Sequence, residues 1–127
     1  MASHPTLDVL VVSVDTHLRD EASFGFPDDT KVRFAIDSRD ALTMIFEDVP
    51  DAVIVDLQTG SAGGFNLIRS MRQDARSLDV PSLLLLERPQ DAWLAKQAGA
   101  TLTRVKPLEV SDLVADTLSI ATPAKAS

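Results

Sequence analysis

The chain has 127 residues, enough to bury one hydrophobic core, and its 45% hydrophobic and 24% charged residues are typical of a single globular domain. No apolar run approaches the roughly 18 residues needed to span a bilayer, and the absence of cysteine excludes disulfides and thiol catalysis. The net charge of −7 argues against binding to a nucleic-acid backbone, which requires a clustered basic surface. We therefore expect a cytoplasmic protein that binds neither nucleic acid nor membrane.

The hydrophobic pattern predicts five strands, each followed by a helix. Four strands are short apolar runs, whereas the second alternates polar and apolar residues; the predicted ranges are 7–12, 31–36, 52–55, 82–86 and 101–105. We expect Ser38 and Ser111 to cap the second and the last helix. Gly25 and Gly99 are predicted to end the first and the fourth helix.

This alternation of strands and helices is typical of an α/β fold with a parallel sheet and helices on both faces. The alternating second strand suits the edge of a sheet. A doubly wound, flavodoxin-like fold with strand order 2-1-3-4-5 places that strand at an edge. We expect one domain over residues 7–120, between an N-terminal tail (1–6) and a C-terminal tail (121–127).

Two charged residues stand at the carboxyl ends of predicted strands. Asp56 ends the third strand and precedes a loop of small residues that runs to Gly64. Lys106 follows the fifth strand, directly precedes Pro107 and lies seven residues after Gly99. Because the ligand crevice of an open α/β sheet lies beyond the carboxyl ends of its strands, we expect Asp56 and Lys106 to meet there.

The strand pattern, Asp56 and the Lys106-Pro107 pair resemble the receiver domain of two-component response regulators, over about residues 7 to 120. The resemblance implies that Asp56 accepts a phosphoryl group and that Lys106 contacts it. It also implies a Mg²⁺ ion, for which Asp15, Asp56 and Gln58 are the weak candidates in this chain. The implied partners are a histidine kinase, a phosphotransfer protein, a downstream effector or a second copy of the chain.

Several positions depart from the pattern of the family. Consecutive acids are usual after the first strand, but this chain has Ser13-Val14-Asp15. Val14 stands where a metal ligand is usual and cannot bind Mg²⁺, whereas Asp15 is expected to cap the first helix. Leu86 stands where the family has Ser or Thr, and Thr103 stands where it has an aromatic residue.

These departures all remove parts of one phosphorylation mechanism. Without the metal, Asp56 would lose the charge neutralisation that makes attack on a phosphodonor fast, and Glu87 would repel a phosphoryl group. We therefore predict an atypical, stand-alone receiver, or pseudo-receiver, which is not an enzyme. It is expected to bind a partner protein independently of phosphorylation, with no cofactor or with weakly bound Mg²⁺.

The resemblance places the partner surface on the fourth helix, the fifth strand and the last helix. Candidate residues on that surface are Trp93, Lys96, Gln97 and Arg104. Lys96 and Gln97 lie three and four residues after Trp93 and share its side of the helix, so we expect the indole to face outward. An exposed Trp is favoured at the centre of a protein interface.

Two alternatives remain open. The first is a working single-domain receiver that a histidine kinase or phosphotransfer protein phosphorylates on Asp56, with Asp15 and Gln58 helping to hold Mg²⁺. The second is a flavodoxin-like binder of a small molecule. Such proteins bind the phosphate of their ligand with a first loop rich in Ser, Thr and Gly, and the first loop of this chain has few of these residues.

Overall fold

A computed structural model of the protein describes residues 7–56 and 63–121. The elements, in chain order, are β1 (Leu7–Val12), α1 (Thr16–Gly25), β2 (Thr30–Ala35), α2 (Ser38–Glu47), β3 (Ala52–Asp56), α3 (Gly63–Arg72), β4 (Ser82–Leu86), a 3₁₀ turn (Pro89–Asp91), α4 (Ala92–Ala98), β5 (Leu102–Val105) and α5 (Val110–Ile120). The predicted tails lie outside the described residues, apart from Ala121. Gln58 and the rest of the loop from 57 to 62 also lie outside them.

The strands pair in parallel in the order β2-β1-β3-β4-β5, which confirms the predicted sheet and the edge position of β2. Because side chains alternate across a strand, neighbours such as Val9 and Leu10 enter two different cores. Leu10 packs in the core under α2, α3 and α4, and Val9 packs in the core under α1 and α5. Burial on both faces explains why β1, β3 and β4 are almost continuous apolar runs.

Two predicted helix caps are wrong. Asp37, not Ser38, caps α2, and its Oδ1 accepts a hydrogen bond from the Asp40 backbone N–H at 2.8 Å. The helix α5 begins after Glu109, so Ser111 lies within its first turn. Asp and Ser have similar preferences for the cap position, so the sequence alone does not choose between Asp37 and Ser38.

An ion pair joins the edge strand to the sheet at the end opposite Asp56. Arg33 Nε donates to Asp8 Oδ1 at 2.9 Å, and both side chains are largely buried. The same guanidinium donates through Nη2 to the Asp48 carbonyl at 2.7 Å. Arg33 therefore ties β2 both to β1 and to the end of α2.

The guanidinium of Arg72 joins α3 to the chain before β4 and before β5. Its Nε donates to the Gly99 carbonyl at 3.0 Å and its Nη2 donates to Ser82 Oγ at 3.2 Å. Its Nη1 donates to three further carbonyls, those of Ser77, Leu78 and Val80. Gly99 ends α4 with φ of 110°, as predicted, and a Cβ there would lie 2.7 Å from Arg72 Cγ. Glycine is therefore required for both the turn and the close approach.

We expect Arg72→Lys to lower the free energy of unfolding by about 2 kcal/mol, because an ammonium keeps the charge but cannot span these acceptors. Arg69→Lys is the matched control, since Arg69 is exposed on the same helix and, among the described residues, donates only to Asn66 Oδ1 at 3.5 Å. The control should change stability by less than about 0.5 kcal/mol. Urea unfolding measures both variants, and equal losses would contradict the role given to Arg72.

Candidate functional site

Asp56 lies at the carboxyl end of β3 with both carboxylate oxygens engaged. Oδ1 accepts a hydrogen bond from Lys106 Nζ at 2.6 Å, and Oδ2 accepts one from Ser13 Oγ at 2.9 Å. The Asp56 side chain is only 1% exposed. Because β1, β3 and β5 end at the same edge of the sheet, residues far apart in the chain meet here. The structure thus brings together Asp56 and Lys106, the pair that the sequence singled out.

Lys106 lies between two carboxylates. Its backbone N–H donates to the Leu86 carbonyl at 2.8 Å, which continues the pairing of β5 with β4. Its Nζ lies 2.9 Å from Glu87 Oε1 as well as 2.6 Å from Asp56 Oδ1. Burial alone would lower the pKa of Lys106, but the hydrogen bonds to Asp56 and Glu87 outweigh that effect and raise the pKa. A raised lysine pKa stabilises the fold at neutral pH, and that contribution is lost only as the pH rises through the folded-state pKa.

The residues after β1 form a turn around the hydroxyl of Ser13. The buried Ser13 Oγ accepts a hydrogen bond from the Asp15 backbone N–H at 3.0 Å while it donates to Asp56. Asp15 caps α1, as predicted, with Oδ1 accepting from the His17 backbone N–H at 2.9 Å. Val14 is 53% exposed and offers no polar atom to the site.

The two other positions that depart from the receiver pattern lie in β4 and β5. Leu86 is fully buried in the core under α2, α3 and α4. Thr103 is half-buried in β5 and pairs with Leu84 in the strand register. An apolar side chain that is locked into the core replaces the hydroxyl usual at the end of β4.

The candidate partner surface is exposed on α4 and β5. Trp93 is 67% exposed, and Lys96 and Gln97 beside it are exposed as expected. Arg104 is exposed on β5, and its guanidinium donates to Asp116 at 2.6 Å and 3.0 Å, so its charge is already paired. The role of these four residues in binding stays a prediction.

Two further apolar residues lie on the same elements as Trp93 and Arg104. Leu94 is 43% exposed and Val105 is 37% exposed. The sequence pattern did not single them out: Val105 only ended a predicted strand, and nothing distinguished Leu94 from the other apolar residues of its helix. The exposure of these two side chains depends on how α4 and β5 pack in the fold. Leu94 and Val105 add apolar area to the elements that carry the candidate partner surface.

The described residues bring together no ready-made cluster of Mg²⁺ ligands. Nowhere in residues 7–56 and 63–121 do three or more His, Asp or Glu side chains lie where they could hold a metal. Both Asp56 oxygens are engaged, and Asp15 accepts hydrogen bonds at the helix cap. Mg²⁺ requires several oxygen ligands at about 2.1 Å, and Gln58 lies outside the described residues. The weak metal site therefore stays a prediction.

The described segments contain no helix that is both long and apolar enough to cross a bilayer.

A cavity of about 210 Å³ lies away from Asp56, near the amino ends of β3 and β4, between residues 49–51 and 75–81. It contains none of the residues that the sequence singled out.

No protein-family model matches the chain. In sequence it is 29% identical over 86 residues to the DNA-binding dual master transcriptional regulator RpaA of Synechocystis, an alignment that covers 66% of this chain and 36% of RpaA. It is also 29% identical over 109 residues to the response regulator MprA of Mycolicibacterium vanbaalenii, covering 84% of this chain and 47% of MprA. The chain thus spans less than half the length of each of these two relatives.

The fold is that of solved receiver domains. The chemotaxis response regulator CheY4 of Vibrio cholerae superposes with a TM-score of 0.79 and 26% identity, covering 90% of this chain and 97% of CheY4. The receiver domain of sensor histidine kinase PA1611 from Pseudomonas aeruginosa, which holds magnesium in its active site cleft, superposes with a TM-score of 0.76 over 90% of this chain and 96% of that domain. At 18% identity the likeness to PA1611 is one of fold alone. The chain is a response regulator receiver domain in its fold, and it resembles that family in its sequence.

Proposed function

We propose that this receiver domain is a protein-interaction module whose binding does not depend on phosphorylation of Asp56. The supporting observation is the burial of the Asp56 side chain, which is 1% exposed and accepts one hydrogen bond at each carboxylate oxygen. A carboxylate nucleophile must present an oxygen lone pair to the phosphodonor. Each Asp56 oxygen accepts one hydrogen bond and keeps a second lone pair, so the obstacle to attack is the burial of the side chain, which a phosphodonor reaches only if neighbouring groups move. Val14, where a metal ligand is usual, adds to the barrier because it offers no carboxylate to a metal ion that would help Lys106 to neutralise the incoming phosphoryl oxygens.

We assign partner binding to the exposed side chains of α4 and β5. Trp93 and Leu94 supply apolar area, and Lys96 and Gln97 supply polar atoms beside them. An exposed Trp that can be desolvated by a partner is a frequent source of binding energy in interfaces. The net charge of −7 favours a protein partner over nucleic acid or a membrane surface, and we propose a cytoplasmic location for this binding. A kinase, a phosphotransfer protein, an effector or a second copy fits this role, and no catalytic activity is assigned.

One observation favours the alternative, a working phosphoacceptor. The 2.6 Å contact between Lys106 and Asp56 keeps the cation beside the carboxylate, where it could bind a phosphoryl oxygen. This function requires a phosphodonor and Mg²⁺, like the ion in the receiver domain of PA1611. The proposal and the alternative differ in whether Asp56 can be modified.

Incubation with acetyl phosphate and excess Mg²⁺ should leave the intact mass of the wild-type chain unchanged, because Asp56 is buried. Asp56→Asn provides the baseline. Since an aspartyl phosphate hydrolyses, the backbone amide shifts are also recorded with beryllofluoride, and they should not change. A phosphoryl adduct, or amide shifts, on the wild type but not on Asp56→Asn would support the alternative instead.

Lys106→Met should lower the free energy of unfolding by about 2–3 kcal/mol, because it leaves Asp56 buried without its cation. The estimate stays below the range for full burial, since the Lys106 side chain is 26% exposed. Adding Asp56→Asn should recover most of the loss, giving a coupling above about 1 kcal/mol in a double-mutant cycle. Lys96→Met, at an exposed lysine, should change stability by less than about 0.5 kcal/mol. Additive single effects would argue against a structural Asp56–Lys106 pair.

An affinity experiment separates the two functions directly. Immobilised wild type and Asp56→Asn should retain the same partner from the native host extract, whereas Trp93→Ala should lose it with at least tenfold weaker binding. Phe24→Ala is the control, since Phe24 is also an exposed aromatic residue but lies on α1. Loss of the partner with Asp56→Asn would contradict binding that is independent of phosphorylation.

A further inference from the structure

We propose that the Glu87 carboxylate occupies Lys106 at the Asp56 site. By pairing with the Lys106 ammonium, Glu87 prevents a phosphoryl group, or a similar tetrahedral anion, from binding there. The inference rests on the proposed function and adds its cause: the site is closed by an internal carboxylate as well as by the loss of a metal ligand.

The backbone places Glu87 beside Lys106. Glu87 directly follows Leu86, the last residue of β4, and Leu86 pairs with Val105 in β5. The hydrogen bond from the Lys106 N–H to the Leu86 carbonyl continues this pairing by one residue, so Lys106 lies beside the end of β4. Two side chains that leave adjacent strand ends in this way are held close together. The 2.9 Å contact between Glu87 Oε1 and Lys106 Nζ follows from that placement.

The charges then oppose a further anion. One cation, Lys106, lies between two carboxylates, Asp56 at 2.6 Å and Glu87 at 2.9 Å. These three groups together carry one net negative charge when all are ionised. A phosphoryl group would have to displace Glu87 from Lys106 and then remain near the displaced carboxylate. Like charges at such distances disfavour each other, all the more where the Asp56 side chain is buried.

Glu87 and Val14 are separate obstacles, so they can be removed separately. Val14 is 53% exposed, and a carboxylate there can be introduced without disturbing the core. Val14→Asp restores an acid where the family has a metal ligand but leaves Glu87 on Lys106. Val14→Asp with Glu87→Gln removes both obstacles and keeps the size of the side chain at position 87.

The test uses beryllofluoride with Mg²⁺ as the probe and backbone amide shifts as the readout, on the full chain. We expect the Val14→Asp, Glu87→Gln variant to bind beryllofluoride at least tenfold more tightly than Val14→Asp alone. The matched control is Val14→Asp with Glu109→Gln, which removes one exposed negative charge three residues from Lys106. This control should bind like Val14→Asp, because no hydrogen bond or ion pair joins Glu109 to Lys106 in the described structure.

Equal binding by the Glu87→Gln and Glu109→Gln variants would overturn the proposal, as would tight binding by Val14→Asp alone or no binding by either variant. Urea unfolding checks that each variant is folded, and Glu87→Ala replaces Glu87→Gln if the latter is not. These outcomes are independent of the partner experiment. If partner capture fails and the beryllofluoride test succeeds, the interaction surface is rejected but the role of Glu87 is kept. If partner capture succeeds and the beryllofluoride test fails, only the role of Glu87 is rejected.

Discussion

The carboxyl edge of the sheet depends on the contact between Asp56 and Lys106. A buried carboxylate is costly unless a cation and hydrogen-bond donors compensate for the lost water. Lys106 supplies the charge and Ser13 the second donor, so the ends of three strands are joined through one side chain. The same two residues that chemistry would require are therefore also partners within the fold. Their presence in a receiver fold does not by itself indicate phosphorylation, because an ion pair gives a stability reason to keep them.

The polar groups around Asp56 are redistributed rather than lost. A hydroxyl, Ser13, follows the first strand where the family has an acid, and it donates to Asp56 instead of repelling it. A carboxylate, Glu87, appears after the fourth strand and pairs with Lys106. A site built for turnover keeps uncompensated charge in order to bind a metal and a phosphoryl group. Here the carboxylates of Asp56 and Glu87 both contact the Lys106 ammonium, an arrangement that agrees with a module that presents a surface.

The sheet could be predicted from the sequence because its signal is strong: buried strands are apolar runs, and their carboxyl ends meet at one edge. That rule also predicted that Asp56 and Lys106 would meet. The outward direction of Trp93 followed from helical spacing. The hydrogen bond between Ser13 and Asp56 was out of reach, since it joins residues 43 apart through side-chain directions that no local pattern encodes. Glu87 was noticed as an acid near the site, but its pairing with Lys106 depends on the register between β4 and β5. The error at Ser38 arose because Asp37 beside it suits a helix cap about equally. Ser111 was wrong because α5 begins earlier, after Glu109, which makes no side-chain cap hydrogen bond.

The position of Arg33 limits how another chain can attach. β2 lies at one edge of the described sheet, and an exposed edge is a template for an added strand. A charged residue in the middle of that strand, turned inward and tied to Asp8 and Asp48, is a device that proteins use against such pairing. An added strand would have to pass beside this network and the exposed Lys31 without replacing their contacts. The β2 edge is thus protected from strand-by-strand aggregation, whereas the opposite edge, β5, belongs to the proposed partner surface.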